Sequence, residues 1–250
     1  MKKGRWLSLM MGILFFGQIL AAGLNLLLYQ EEIYLKIQAE DKVLSSFMLG
    51  EAEIADNFEA LSGYLRFPAV LNGEVLALPH LPMSENGRAH FYEVKLWFRA
   101  ADVLFVCFGV FQLLLWRLAG KRGRRFCLGW MEAAAGGLAL VLAAGAAVDF
   151  HTFFTGFHRA LFSNDYWQMD PFLDPVALYL PESYFRYCGI FLAGMEAMGI
   201  AVLEAVRRMK RSQAGGGGIG AVEAGGSGRY HGSEPGRRSR DKCSSAPHRF

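Results

Sequence analysis

The amino-acid sequence predicts an all-α membrane protein with four transmembrane helices. Of its 250 residues, 53% are hydrophobic even with glycine left out, which is more than soluble domains of this size usually contain. The apolar residues are gathered into four runs with few charges, and each run is long enough to cross about 30 Å of hydrocarbon as a helix. The predicted spans are about residues 6–29, 96–118, 126–148 and 184–206.

The first span follows Lys2, Lys3 and Arg5, a basic segment of the kind that also precedes cleaved signal peptides. Its apolar run at 6–29 is longer than the roughly 7–15 residues of a signal peptide's hydrophobic region. We therefore interpret this run as an uncleaved anchor.

Basic residues predict the orientation of the spans, because short cytoplasmic loops are enriched in lysine and arginine. If all four runs span the membrane, three basic groups fall on the same side: Lys2, Lys3 and Arg5; Lys121, Arg122, Arg124 and Arg125; and Arg207, Arg208, Lys210 and Arg211. Both termini are thus predicted to be cytoplasmic. Residues 30–95 then form a small extracytoplasmic domain, and 149–183 form an extracytoplasmic amphipathic loop.

The outer segment at 30–65 carries apolar residues at helical spacing, with a break expected at Gly50. Prolines and glycines make 66–88 a loop or short strand. A helical pattern resumes around residue 89 and is expected to continue into the second span.

Composition divides the chain into two parts. Residues 1–211 are predicted to form the four-helix transmembrane domain with its outer loops. Residues 212–250 are rich in glycine, serine and arginine and are predicted to be a disordered cytoplasmic tail. Beyond the arginines of this tail, nothing supports nucleic-acid binding, and we expect none.

Several polar side chains fall inside the predicted spans, where they are costly unless they are paired or face the bundle. They are Gln18, Asn25, Asp102, Glu132 and Glu196. Arg99 and Asp102 are three residues apart and can pair on a helix. Glu196 has no evident partner in the sequence, so a structural hydrogen bond and a role in proton handling both stay open.

The stretch "GFHRALFSNDYWQMDPFLDPVALYLPE" at 156–182 is rich in both aromatic and charged residues. Its prolines prevent it from forming one long helix, and "SND" is typical of a cap or turn. Because it joins the third and fourth spans, its aromatic side chains are expected at the lipid–water boundary. It would present polar chemistry at the depth of lipid headgroups.

Two histidines on the outer side are the candidate reactive groups. His90 shares a helix face with Glu93 in "ENGRAHFYEVKLWF", and His158 lies in the later loop. We expect the two imidazoles to meet over the outer mouth of the bundle, with Glu93 or an aspartate orienting one ring. The alternative is that each is an interfacial anchor. His90 and Glu93 also have the spacing of a metal pair, but such pairs are common by chance, and we expect no metal.

The motif "FHRALFSNDYWQMDPFLDPVALYLPESYF" resembles the hallmark stretch of the lipoprotein intramolecular transacylases, which are four-span bacterial membrane proteins. "LSGYLRF" and "RAHFYEVK" are similar to two earlier landmarks of that family. The resemblance covers about residues 5–208. Glu93 stands where the family pattern has an aspartate, and Leu161 replaces an aromatic residue.

The resemblance implies transfer of the sn-2 acyl chain of a diacylglyceryl-modified lipoprotein to the α-amine of its N-terminal cysteine. The product is a lyso-form lipoprotein. The implied partners are such lipoproteins and membrane lipid. The implied location is the bacterial cell (cytoplasmic) membrane, with the active site facing the outer leaflet and with no cofactor. A non-catalytic scaffold or chaperone for exported lipoproteins is the competing interpretation, and a small transporter using Glu196 is a third.

Within that reaction, His90 and His158 are the expected catalytic residues. Histidine suits both proton transfers because its ordinary pKa of about 6.5 lies near neutral pH. Which of the two is base and which is acid stays open. Lys95, Arg159, Asn164 and Tyr166 are candidates for contacts to the oxyanion or the headgroup. The remaining substrate-binding or orienting candidates are Glu93, Asp165, Trp167, Asp174 and Glu182. No serine or cysteine nucleophile motif is present.

Overall fold

The computed structural model describes residues 2–41, 49–118, 136–137, 139–140, 144 and 149–216, and within them the secondary structure is all helical. The helices are α1 (Lys2–Leu27), α2 (Glu31–Asp41), α3 (Glu51–Leu65), a 3₁₀ turn (Ala69–Leu71), α4 (Glu85–Leu118), α5 (Phe150–Leu161), α6 (Val176–Tyr179) and α7 (Glu182–Gly216). The fold and site lie in one compact unit, residues 1–209. The second unit, 210–250, contributes only the last turns of α7 to the described residues.

Three helices are long and apolar enough to cross a membrane, and they correspond to the predicted first, second and fourth spans. They contain the segments Leu9–Leu27, Glu85–Arg117 and Glu182–Met209. The predicted third span at 126–148 falls mostly outside the described residues, together with Glu132 and the basic turn before it. The tail predicted at 212–250 also lies outside them from residue 217 onward.

Polar groups and small residues hold α1 against its neighbours. Asn25 Nδ2 donates to Asp102 Oδ1 at 2.7 Å, so Asp102 pairs across helices with an amide rather than with Arg99 on its own helix. A methyl group at Gly199 of α7 would lie 2.1 Å from Ile19 Cδ1 of α1, so glycine lets the Ile19 side chain pack directly on this helix. Glu196 is 2% exposed, and neither of its carboxyl oxygens has a partner among the described residues.

A hydrophobic core gathers around Tyr34, which is fully buried. The Tyr34 hydroxyl donates to the Tyr179 carbonyl oxygen at 2.8 Å, and Gln38 Nε2 donates to the same oxygen at 2.6 Å. The Tyr34 ring also stacks on Phe58 with centroids 4.5 Å apart. These contacts join α2 and α3, which belong to the predicted domain at 30–95, to α6, which belongs to the predicted loop at 149–183.

Capping explains where the outer helices begin. The Gly50 N–H donates to the Glu53 carboxylate at 2.8 Å, and α3 starts at the next residue, as the predicted break requires. The fourth helix starts at Glu85, earlier than the predicted position, because the Ser84 hydroxyl accepts from the Gly87 N–H at 3.0 Å. As predicted, α4 then runs without interruption into the second apolar run.

Candidate active site

His158 lies in the last turn of the short helix α5. The Asp149 side chain caps the start of this helix by accepting from the Thr152 N–H at 3.0 Å. The helix ends at Leu161, and residues 163–168 form bends and turns, so Asp165 does not continue the helical face of His158. This turn is the one that "SND" predicted. It folds the following residues back towards the histidine.

His90 and His158 come together, as the sequence predicted. The centroids of their rings are 6.0 Å apart, and the two residues are only 6% and 8% exposed. His90 is carried by the second turn of α4, and His158 reaches it from the end of α5. Simultaneous protonation of both imidazoles is unfavourable, because two positive charges at this distance repel strongly where little water screens them.

Aromatic rings enclose the histidine pair. The ring centroids of Phe154 and Trp167 lie 4.0 Å and 5.0 Å from that of His158. Phe162 packs beside both histidines, with its ring centroid 4.7 Å from that of His90 and 5.7 Å from that of His158. Such an enclosure limits water near the imidazoles.

A backbone carbonyl fixes the protonation pattern of His158. The Nδ1 atom lies 2.8 Å from the Phe154 carbonyl oxygen, which can only accept a hydrogen bond. In the neutral ring Nδ1 must therefore carry the proton, and Nε2 keeps its lone pair. The carboxylate that the sequence led us to expect in this orienting role is replaced by a main-chain oxygen, which no side-chain pattern reveals. In this tautomer Nε2 is free to accept a proton.

Burial lowers the pKa of His158, and the hydrogen bond to the Phe154 carbonyl opposes that shift only in part. We expect the imidazole to titrate below the ordinary histidine pKa of about 6.5 and to remain a competent base at neutral pH. As pH falls, the unfolded chain gains this proton first, so protonation of His158 destabilises the fold below about pH 6.5. NMR titration of ¹⁵N-histidine-labelled protein, assigned with His158→Ala, measures the midpoint. A midpoint above that ordinary value would contradict the expectation.

Asp174 holds the start of α4 in place rather than facing the histidines. Its carboxyl group is 3% exposed and accepts from the Ser84 N–H at 2.7 Å and from the Ser84 hydroxyl at 2.6 Å. Glycine is needed at 87 for this contact, because a methyl group there would lie 2.3 Å from Asp174 Oδ1. The clamp fixes the first turn of α4, directly before the turn that carries His90. Neither Ser84 nor Gly87 stood out in the sequence, although "SENG" before a helical pattern is a capping signal.

Glu93 and Asn164 connect α4 to the turn after α5. Asn164 Nδ2 donates to Glu93 Oε1 at 2.7 Å, and its own oxygen accepts from the Tyr166 N–H at 3.1 Å. Trp167 follows directly, and its ring packs on His158. The predicted residues Glu93, Asn164, Trp167 and the two histidines therefore form one cluster.

The other predicted site residues are placed elsewhere. Lys95 is 1% exposed, and its Nζ donates to Asn72 Oδ1 at 2.7 Å and lies over the Tyr64 ring, which ties the 66–84 segment to α4. Glu182 pairs with Arg186 on the surface of α7. Arg159, Asp165 and Tyr166 are exposed. Across the described ranges, no group of three or more histidine, cysteine, aspartate or glutamate side chains is placed to hold a metal ion.

Comparison with known proteins gives one family and one fold. A family model described as lipoprotein intramolecular transacylase Lit matches residues 7–185. The in meso structure of the membrane integral lipoprotein intramolecular transacylase Lit from Bacillus cereus has a TM-score of 0.75 and 24% identity, covering 85% of this chain and 99% of that chain. A search of curated proteins found no match.

Two further Bacillus cereus Lit structures carry replacements of one histidine. The arginine variant has a TM-score of 0.72 and 24% identity, covering 86% of this chain and 95% of that chain. The alanine variant has a TM-score of 0.65 and 25% identity, covering 85% of this chain and 96% of that chain. The three structures share their fold with this chain over most of its length.

Proposed function

This chain belongs to the lipoprotein intramolecular transacylase family, and from that premise we propose how its residues perform the transfer. The substrate is a lipoprotein whose N-terminal cysteine carries a diacylglyceryl group, and the sn-2 acyl chain moves to the α-amine of that cysteine. An ester becomes an amide within one molecule, and the product is the lyso form. The chain is thus an acyltransferase that acts on membrane-anchored substrates.

The observation that carries the proposal is the buried pair of His90 and His158. The amine nitrogen attacks the ester carbonyl carbon while His158 Nε2 accepts its proton. The new C–N bond forms, the bond from the carbonyl carbon to the glycerol oxygen breaks, and that oxygen regains a proton. We assign protonation of the glycerol oxygen to His90. The proton that His158 takes from the amine passes to His90, whose ring lies 6.0 Å away, and from there to the leaving oxygen, so the pair holds only one extra proton at a time.

The intramolecular reaction explains why no enzyme nucleophile is needed. Attacking amine and ester belong to the same molecule, and effective molarities of well-aligned intramolecular reactions reach about 10⁵–10⁸ M. The protein has to orient the lipid, move protons and keep water away. The aromatic enclosure around His158 suits the last task, since water would convert the ester to a free fatty acid instead of an amide.

The test is a purified-protein assay with a synthetic diacylglyceryl lipopeptide, followed by mass spectrometry of the product. We expect the mass to be unchanged, since transfer is an isomerisation, while fragment ions show the acyl group on nitrogen. A scaffold or chaperone would leave the acyl group on glycerol. Loss of an acyl group without N-acylation would identify a lipase instead.

We also propose the finer topology: four spans, both termini in the cytoplasm, and residues 30–95 and 149–183 outside. The support is the one-sided distribution of basic residues. In this arrangement the start of α4 and the end of α5 meet at the outer leaflet, where the lipid anchors of exported lipoproteins lie. The histidine pair then lies at the same depth in the membrane as the ester of the substrate.

Cysteine accessibility tests this topology. In a background with the four native cysteines replaced, Val75→Cys is the outer probe because Val75 is 60% exposed, and Ser212→Cys is the inner probe. A membrane-impermeant maleimide should label position 75 in intact cells and position 212 only after lysis. The reverse labelling pattern would invert the orientation, and labelling of both positions in intact cells would require an even number of spans between them, which contradicts the proposed four-span topology.

A further inference from the structure

Three buried polar atoms around the histidine pair have no hydrogen-bond partner among the described residues. They are His90 Nδ1, Glu93 Oε2 and Trp167 Nε1. Each belongs to a side chain of the cluster: Glu93 lies one helical turn after His90, and the Trp167 ring packs on His158 at 5.0 Å. A buried polar group left unpaired costs about 1–3 kcal/mol. Three such atoms on side chains of one cluster therefore indicate a place for polar atoms of a ligand.

The two atoms outside the histidines have opposite hydrogen-bonding chemistry. An indole Nε1–H only donates, and an ionised carboxylate oxygen only accepts. The substrate presents the complements of both: an ester carbonyl oxygen that becomes negative as the amine attacks, and an amine that is largely protonated at neutral pH, with an ordinary pKa of about 7.7–8.0.

We propose that Trp167 Nε1–H stabilises the oxyanion of the transacylation intermediate and that Glu93 Oε2 binds the attacking α-amine of the substrate. This inference rests on the function proposed above and assigns two further residues to that site. The indole stabilises charge that exists fully only after attack, so it contributes to kcat. The carboxylate binds the ammonium form before it releases its first proton, so it contributes to substrate affinity.

Asn164 explains why these two groups can act together. It occupies only Oε1 of Glu93, at 2.7 Å, and leaves Oε2 free for the substrate. Its own oxygen accepts from the Tyr166 N–H, and this turn sets the position of Trp167. One asparagine thus fixes the ammonium-binding carboxylate relative to the oxyanion donor, with the histidine pair beside both.

Two protons leave the substrate nitrogen during the reaction. The ammonium held by Glu93 releases one proton to solvent to become a free amine, and the nitrogen lone pair forms the new bond to the carbonyl carbon. The carbonyl π electrons move to the oxygen that accepts from Trp167 and return as the bond to the glycerol oxygen breaks. The second nitrogen proton passes through the histidine pair to the leaving oxygen.

Trp167→Phe tests the oxyanion donor, because phenylalanine keeps an aromatic ring against His158 and lacks only the N–H. Loss of one such donor typically lowers kcat by about 10²–10³-fold, and we expect KM to stay near the wild-type value. The matched control is Trp97→Phe, since Trp97 lies on α4 but is 47% exposed, and it should leave kcat unchanged. Wild-type kcat in Trp167→Phe would overturn this half of the proposal.

Glu93→Gln tests the amine site, because glutamine can still accept from Asn164 but carries no charge. The measured quantity is the Kd of an unreactive lipopeptide with an ether at sn-2, once with a free amine and once N-acetylated. Wild-type protein should prefer the free amine, and Glu93→Gln should lose that preference. Glu51→Gln, an exposed change in α3, should keep it. Retained preference in Glu93→Gln would overturn the assignment of Glu93.

The assays separate this inference from the function on which it rests. If wild-type protein forms no lyso product from the ester substrate, the proposed function fails. If wild-type protein turns the substrate over while the two variants match it in kcat and amine preference, only the present inference fails. A lowered melting temperature in either variant assigns a structural role to that residue and overturns its half of the proposal.

Discussion

Replacing His158 or His90 by alanine should abolish detectable formation of lyso-lipoprotein. General acid–base groups typically contribute about 10²–10⁴-fold to rate, and His158 has its Nδ1 proton held by the Phe154 carbonyl so that Nε2 faces away as a base. The measurement is the single-turnover rate of N-acylated peptide formation by purified wild-type and variant proteins at equal concentration. The two rings are 6.0 Å apart, and in the proposed mechanism they pass on the same proton. The double variant should therefore be scarcely slower than either single one.

His151→Ala is the internal control for this prediction. His151 is also on α5, two turns before His158, but it is exposed and has no place in the cluster. Its replacement should leave the rate close to that of wild-type protein. A folded double variant of His90 and His158 that still transfers acyl chains would remove the histidine pair from the mechanism.

Adding one methyl group at position 87 should be nearly as damaging as losing a catalytic group. In Gly87→Ala the new Cβ would lie 2.3 Å from Asp174 Oδ1, so the carboxyl group must leave Ser84 or the first turn of α4 must move. Hydrogen bonds to charged groups are worth about 1.5–3 kcal/mol each. Displacement of His90 by about 1 Å can cost about 10²-fold in rate. We expect a lower melting temperature in detergent and a reduced kcat.

A double-mutant cycle tests whether the effect of Gly87→Ala is due to loss of the contacts between Asp174 and Ser84. Asp174→Ala alone should be destabilising, because it leaves the Ser84 donors unpaired, but Gly87→Ala added to it should cost little more, since the clashing atom is gone. Gly156→Ala is the control, because a methyl group there meets nothing within 4 Å, and alanine favours a helix by about 1 kcal/mol. Full additivity of the Gly87 and Asp174 changes would show that they act separately.

The elements of this fold were largely predictable because each depends on local properties of the chain. Three spans were found from runs of apolar residues, and the break at Gly50 and the end of α5 before "SND" were found from residues that favour caps and turns. The start of α4 was placed too late, because the cap at Ser84 is completed by Asp174, a residue far along the chain. The supposed Arg99–Asp102 pair was wrong for a similar reason: Asn25 reaches Asp102 from another helix.

The sequence by itself determined that the chain is a helical membrane protein, and it singled out His90 and His158 as candidates, since hydropathy and a family motif can be identified from the order of residues alone. Only the tertiary structure decided what each side chain in the motif does. It brought His90 and His158 together, turned Asp174 towards Ser84 and placed Lys95 against Asn72. These outcomes depend on distances between residues remote in sequence, which packing sets and composition does not record. The same is true of the Phe154 carbonyl that orients His158, because every residue has such an oxygen and only the fold selects one.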